Sequence, residues 1–315
     1  MWTLGIDIGG TKVAAALVDP EGRAHYYRTV PTLPQDGPDR LLDRIVALAR
    51  QVIQEGQAPP VAVGIGTGGQ VNPQTGEILY ATDLIPGWAG APLRVRVEGA
   101  LGLPTWVIND VHAMALAEAV HGAGRDVRWG LFVAVGTGIG GAWVLNGQLV
   151  HGHRGLAGAV GHVKVERDGR RCTCGGAGCV EQYASGPAIA ARYRALRGLE
   201  EAPSGVEVAD AARQGDALAR LAVREAGEWL GFALASLVNA AAPEAIIIGG
   251  GVLGFGEMFL DAVRWGLERD ALPSAKTTPV LPAALGPAAG VIGAGVLARQ
   301  RWTAQHRHEN LAEEA

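Results

Sequence analysis

The chain opens with short apolar runs broken by glycine turns. Leu4–Ile8 and Val13–Val18 read as strands flanking Gly9-Gly10, and Ala24–Val30 adds a third. Pro38–Glu55 changes to helical spacing, with Leu41, Leu42, Ile45, Leu48, Ala49 and Val52 on one face. Val61–Ile65 and Thr105–Ile108 are further short strands, the second followed by a helix from about Val111 to Val120. The opening theme then repeats. Leu131–Val135 runs into Gly136-Thr137-Gly138-Ile139-Gly140-Gly141 and Ala142–Leu145, and Asn146-Gly147 signals a hairpin. Helices are predicted over Pro187–Leu196, Val206–Arg213 and Ala217–Ala241, and the strand Ala245–Ile248 precedes Gly249-Gly250-Gly251. Ala288–Arg301 reads as a last helix and the polar Gln305–Ala315 as a frayed tail. Strands and helices mix throughout, so the fold class is α/β. The repeat predicts two halves built alike, their glycine turns on opposite walls of one cleft.

Composition narrows the partners. A length of 315 residues suits two domains of ordinary size. The net charge of −4, with no basic stripe, leaves no footprint for nucleic acid. The first residues lack the basic and apolar regions of a leader, and no apolar run reaches the roughly 18 residues of a membrane span. A soluble, cytoplasmic protein that engages neither membrane nor nucleic acid is expected.

All three cysteines fall in Cys172-Thr-Cys174-Gly-Gly-Ala-Gly-Cys179, with His162 ten positions upstream and Glu181 directly behind. Three sulfurs and one imidazole nitrogen form the closed tetrahedral set of a structural Zn²⁺ site, and the glycines let the backbone fold back. The competing reading is three reduced thiols beside a chance histidine. An odd cysteine count argues against a disulfide framework.

The pattern G-x-G-x-x-G occurs at Gly64/Gly66/Gly69, Gly136/Gly138/Gly141 and Gly249/Gly251/Gly254. Only the third has a strand before it and a helix after it, and no acidic residue follows at the tip of a second strand. A dinucleotide-binding domain is therefore not expected, and Lys12 lacks the glycine spacing of a Walker A loop. The remaining use of such turns is to aim backbone N–H groups at phosphates, through positive φ or close approach. In Asp7-Ile8-Gly9-Gly10-Thr11-Lys12 a carboxylate joins the turn, which makes sense where Mg²⁺ stands between acid and phosphate.

Asp7-Ile8-Gly9-Gly10-Thr11-Lys12, Asn109-Asp110, Gly136–Gly141 and Gly161-His162…Cys172-x-Cys174-Gly-x-x-Gly-Cys179-x-Glu181 together resemble the ROK family of bacterial sugar kinases and sugar-responsive repressors, from about residue 3 to about 300. The resemblance implies the actin-like ATPase (ribonuclease H-like) fold, with two α/β domains around a central cleft. The smaller would hold 1–113 plus about 290–315, and the larger 114–289 with the zinc loop 162–181. It implies Asp110 as catalytic base, and Gly69, Asn109, Asp110, His162 and Glu181 around the sugar. Asp7, Gly9, Gly10, Thr11, Lys12, Gly136, Thr137, Gly138, Gly249, Gly250 and Gly251 would face ATP and its Mg²⁺. His162, Cys172, Cys174 and Cys179 would hold structural zinc. The expected activity is a hexose kinase of the glucokinase type, acting as a homodimer or homotetramer.

Four positions depart from the family pattern. Ala159 stands where a sugar-binding Glu is usual, Ile108 and His112 replace a commoner Glu and Asn, and Gly68 replaces a frequent proline. Losing one charged hydrogen-bond partner costs roughly tenfold to a hundredfold in affinity. Mannose, fructose or an N-acetylated amino sugar are alternative substrates, and a non-catalytic sugar sensor is an alternative role.

Overall fold

A computed structural model describes residues 1–82 and 84–313, with side chains described through residue 307. The chain divides into two compact units. The first comprises Met1–Asp126, Gly147–Ala157 and the segment from Ala284 onward; the second comprises Val127–Asn146 and Gly158–Ala283.

The first unit begins with β1 (Thr3–Ile8), β2 (Lys12–Val18), β3 (Ala24–Pro31) and α1 (Pro38–Glu55). It continues with β4 (Val63–Thr67), a small hairpin of β5 (Gln70–Val71) and β6 (Ile78–Tyr80), α2 (Leu93–Leu101), β7 (Thr105–Asn109) and α3 (Asp110–His121). Its main sheet has the order β3-β2-β1-β4-β7. The hairpin strands β1, β2 and β3 pair antiparallel, while β1, β4 and β7 run parallel. Leu4, Ile6 and Ile8 bury one face of this sheet against Leu41, Leu42 and Ile45 of α1, the apolar stripe that the helical spacing predicts. α2 is not predicted by the pattern. Only Leu93 and Val97 of it are buried, and Val95 is exposed, so its periodicity is weak.

The chain enters the second unit with β8 (Trp129–Val135) and β9 (Ile139–Leu145), then turns at Asn146-Gly147 into β10 (Gln148–Val150). Both turn residues have positive φ (51° and 70°), as a two-residue hairpin turn of the primed type demands. After the cysteine loop come α4 (Glu181–Ala184), α5 (Gly186–Arg197), α6 (Gly205–Arg213), α7 (Ala217–Ala241), β11 (Ala245–Gly249), α8 (Glu257–Asp270) and β12 (Val280–Pro282). β9 and β8 pair antiparallel, and β8, β11 and β12 run parallel, so this unit repeats the strand logic of the first. A Ser204–Glu207 capping box starts α6. A Cβ on Gly231 would meet the Val263 carbonyl at 2.3 Å, so glycine is what lets α7 and α8 pack backbone to backbone.

The last helix, α9 (Ala289–Glu313), belongs to the first unit. The sequence predicts its end at Arg301. It runs further because no Gly or Pro interrupts residues 296–313, and polar residues alone do not stop a helix. The expected frayed tail, 305–315, lies mostly outside the residues whose side chains are described. α9 lies almost on the backbone of its neighbours: a Cβ on Gly5 would meet the Val291 carbonyl at 2.0 Å, and one on Gly293 the Ala113 carbonyl at 1.6 Å. This packing keeps all of α3 in the first unit, past residue 113. Among the described residues no helix is long and apolar enough to cross a membrane.

Candidate active site and metal centre

Parallel register builds the first half of the candidate site. Asp7 pairs with Gly66 across β1 and β4, and Thr67 pairs with Asn109 across β4 and β7, so the strand ends carrying Asp7 and Asn109 lie along one sheet edge. Asn109 is the N-cap of α3 and Asp110 its first residue, one position before the predicted start at Val111. Asp110 Oδ1 shares the Val111 N–H at 2.9 Å, while Asn109 alone accepts from His112. The Asn109 side-chain oxygen accepts from the Val111 and His112 N–H groups at 2.9 and 3.2 Å. Its Nδ2 donates to the Gly69 carbonyl and to Asp110 Oδ1, both at 2.9 Å. All four hydrogen-bonding positions of Asn109 are thus engaged. Gly69 can be nothing but glycine: φ is 102°, and a Cβ would meet the Tyr80 carbonyl at 2.4 Å.

Two carboxylates share this edge. Dense surroundings raise the Asp110 pKa by desolvation, against hydrogen bonds from the Val111 N–H and Asn109 that pull it down. Burial also pushes Asp7 up to about 7, with the charge of Asp110 adding to the rise and Lys12 opposing it. Room for the Asp7 carboxyl is kept by glycine, since a Cβ on Gly290 would meet its Cγ at 2.5 Å. Gly290 is a site residue that motif reading did not find. Its signal is the small-residue stripe Gly290, Gly293, Gly295 in an apolar helix.

The Gly9-Gly10-Thr11-Lys12 turn closes on itself through the Gly9 N–H to the Lys12 carbonyl at 3.0 Å, and Thr32 Oγ1 donates to the Gly9 carbonyl at 2.6 Å. Neither Gly9 nor Gly10 takes a positive φ, contrary to one of the two reasons anticipated for glycine here. The turn is left open and accessible instead, with Gly10, Thr11 and Lys12 exposed.

The second unit holds the other predicted residues. Gly136 donates to the Gly138 carbonyl and accepts from Gly186 N–H, each at 2.9 Å, so the turn between β8 and β9 is fixed from both sides. Gly250 has φ 91°, and a Cβ there would meet the Val135 carbonyl at 2.4 Å, which brings Gly249–Gly251 beside Gly136 at the end of β8. Glu181 Oε2 accepts from the Ile139 N–H at 2.8 Å. One oxygen of the expected sugar-facing carboxylate is therefore committed to the β8–β9 turn.

His162, Cys172, Cys174 and Cys179 place their ligand atoms within 4.8 Å of one another. Cys174 Sγ and Cys179 Sγ are 3.6 Å apart, and Cys172 Sγ is 3.8 Å from His162 Nδ1. A tetrahedron with bonds of about 2.3 Å has edges of about 3.8 Å, so the four residues fit a metal ion such as zinc. With Nδ1 turned to sulfur, Nε2 remains as the ring's second polar atom. Burial pushes the Cys179 thiol up to about 11, although the Lys164 ammonium donates to its sulfur at 2.8 Å; a bound dication is what would make a thiolate favourable there. The loop's shape depends on glycine at Gly178, where φ is 70° and a Cβ would meet the Glu166 carbonyl at 1.7 Å. Upstream, a Cβ on Gly161 would meet the Ile139 carbonyl at 2.1 Å, so the segment carrying Ala159 and His162 lies flat on β9.

The model of the ROK family matches residues 3–301 of this chain. The chain is 38% identical over 315 residues to a glucokinase of Streptomyces coelicolor, covering 95% of this chain and 98% of that protein. Two solved structures are close in shape. One is a ROK hexokinase from Thermus thermophilus, with TM-score 0.83 and 33% identity, covering 96% of this chain and 99% of that one. The other is a ROK family glucokinase from Streptomyces griseus in complex with glucose and AMPPNP, with TM-score 0.82 and 37% identity, covering 95% and 100%. This likeness carries the actin-like ATPase fold with it.

Proposed function

The chain belongs to the ROK family, and on that premise we propose that it is an ATP-dependent sugar kinase whose substrate is glucose. The observation that supports this most directly is the Asp7–Asp110 edge, with Asp110 Oδ1 held by the Asn109 side chain and the Val111 N–H.

Phosphoryl transfer through a loose transition state needs positioning and charge neutralisation more than covalent chemistry. The sugar 6-hydroxyl oxygen forms a bond to the γ-phosphorus, the bond from that phosphorus to the bridging oxygen breaks, and ADP leaves. The hydroxyl proton passes to Asp110, whose desolvated carboxyl favours accepting it. Asn109 holds Asp110 in place through its 2.9 Å hydrogen bond and would reach a sugar hydroxyl by giving up one of its present partners. Open turns at Gly9–Lys12 and Gly136–Gly138 suit close approach of phosphate oxygens, and Gly249–Gly251 suits the nucleoside side. Mg²⁺ entering with ATP would be held near Asp7 and would neutralise phosphate charge. Zinc, held by His162, Cys172, Cys174 and Cys179, would have no open position for chemistry. Its part is to fix His162 and, through Cys179, the start of α4 with Glu181, two groups that suit sugar hydroxyls.

Ala159 favours a second reading of the substrate. Without a carboxylate at that position, discrimination among hexoses rests on fewer charged groups, so mannose or an N-acetylated amino sugar is the competing acceptor. ADP release measured with glucose, mannose, fructose, N-acetylglucosamine and N-acetylmannosamine tests both readings. The highest kcat/KM is expected with glucose. Binding of a sugar without turnover of any would overturn the kinase reading in favour of a sensor.

A further inference from the structure

The first unit contains a cleft that none of the preceding chemistry uses. It has a volume of about 540 Å³ and lies between the β10 segment and the C-terminal part of α9, lined in part by Gln148, His151, Arg299, Arg301, Thr303 and Arg307. Three guanidiniums face it, and among the described residues no carboxylate lines it. Arg299 is already committed, donating to the Pro20 and Asp19 carbonyls. Among the described residues Arg301 has one long hydrogen bond, 3.4 Å to the Pro73 carbonyl, and Arg307 has no acidic partner. His151 supplies a third unmet group: its Nδ1 is buried and has no hydrogen-bond partner among the described residues. Burial and the charge of Arg301 both lower its pKa, so it stands as a neutral imidazole in a cationic setting.

Like charges gathered without counter-charge are costly unless an anion joins them, and guanidinium forks match the oxygens of a tetrahedral oxyanion. Leu149 and Leu297 give the cleft an apolar part. The volume falls within the usual range for small-molecule sites and exceeds what a bare phosphate fills. We propose that this cleft binds a small phosphomonoester, its phosphate held by Arg301 and Arg307 beside His151, and its organic part over Leu149 and Leu297. The site borders the catalytic helix. The His151 ring lies 5.9 Å from that of His112, which is buried two residues beyond Asp110 and hydrogen-bonded to Ala157. An occupant would thus press on a residue of the helix that carries the candidate base.

The test uses the His151 ring as a local reporter in NMR spectra of the intact protein, its signals assigned by their loss in His151→Gln. Inorganic phosphate, a hexose 6-phosphate and an unphosphorylated hexose are titrated in turn. The ester should shift the ring signals saturably, inorganic phosphate more weakly, and the free hexose not at all. Arg307→Gln, at an exposed position, should weaken the ester midpoint by roughly tenfold, and adding Arg301→Gln should abolish the response. The proposal is overturned if neither phosphate moves the His151 signals or if the double variant responds like the native protein. Inorganic phosphate binding as tightly as the ester would overturn the assignment of an ester.

Discussion

Asp7 with Asp110 and the cluster of His162 with three cysteines pose the same electrostatic problem in different settings. Each gathers acidic groups, carboxyls or thiols, whose anionic forms repel. The carboxylates sit on a parallel sheet edge, where strand register, the Asn109 cap and the glycine at 290 set their positions before any ligand arrives. The sulfurs sit on a loop whose course is permitted by Gly175 and Gly178 and held by scattered backbone contacts such as Cys172 N–H to the Gly176 carbonyl at 2.9 Å. A preformed site keeps its geometry and shifts its pKa values; a loop site would draw its order from the metal we propose for it.

The comparison breaks most visibly if metal is withdrawn. Structural zinc contributes on the order of 10 kcal/mol or more to the order of such a segment. Chelation, or Cys179→Ser, is expected to abolish hydrogen-exchange protection across residues 163–180 while β1, β4 and β7 stay protected. Sugar binding should weaken before nucleotide binding. Loss of protection in both units, or in neither, would end the contrast.

A smaller effect should follow pH at the carboxylate edge. Asp7 has its folded pKa raised from 3.8 to about 7, chiefly by desolvation with Asp110 adding to it. A raised pKa means that the folded state prefers the protonated form. Its contribution is present in full below the unfolded value and is lost as pH rises through about 7. Thermal unfolding of the magnesium-free protein should show stability falling from about pH 4 to pH 8, and Asp7→Asn should flatten that slope. The gain at the alkaline end is at most about 4 kcal/mol, from roughly 1.36 kcal/mol per pKa unit. A slope unchanged by Asp7→Asn would show that the carboxyl is not desolvated as described.

The smallest expected effect concerns recognition. Ala159→Glu restores a charged hydrogen-bond partner beside His162 and should lower the half-saturating sugar concentration by about tenfold, with kcat little changed. No change would show that another group already fills that role.

How much could be read in advance followed the range of the forces involved. α1 and α7 were legible to the residue, because periodicity and flanking breakers are local. So were the Asn146-Gly147 turn and the cysteine spacing, where residue type itself states the chemistry. The α3 boundary shifted by one residue, because Asn and Asp are both good caps and only the structure shows Asn109 taking the hydrogen bonds. Gly290 was not legible as a site residue, since its partner Asp7 lies at the other end of the chain. His112 was visible as an unusual residue, but its neighbours His151 and Ala157 were not.

The most direct test of the account is single-turnover phosphoryl transfer by Asp110→Asn at saturating glucose and Mg-ATP, beside an equilibrium measurement of glucose binding. Asparagine keeps the size of the side chain and cannot accept the proton. Transfer should slow by about 10²–10⁴-fold, with glucose affinity retained within a few-fold. Transfer at the native rate would contradict it.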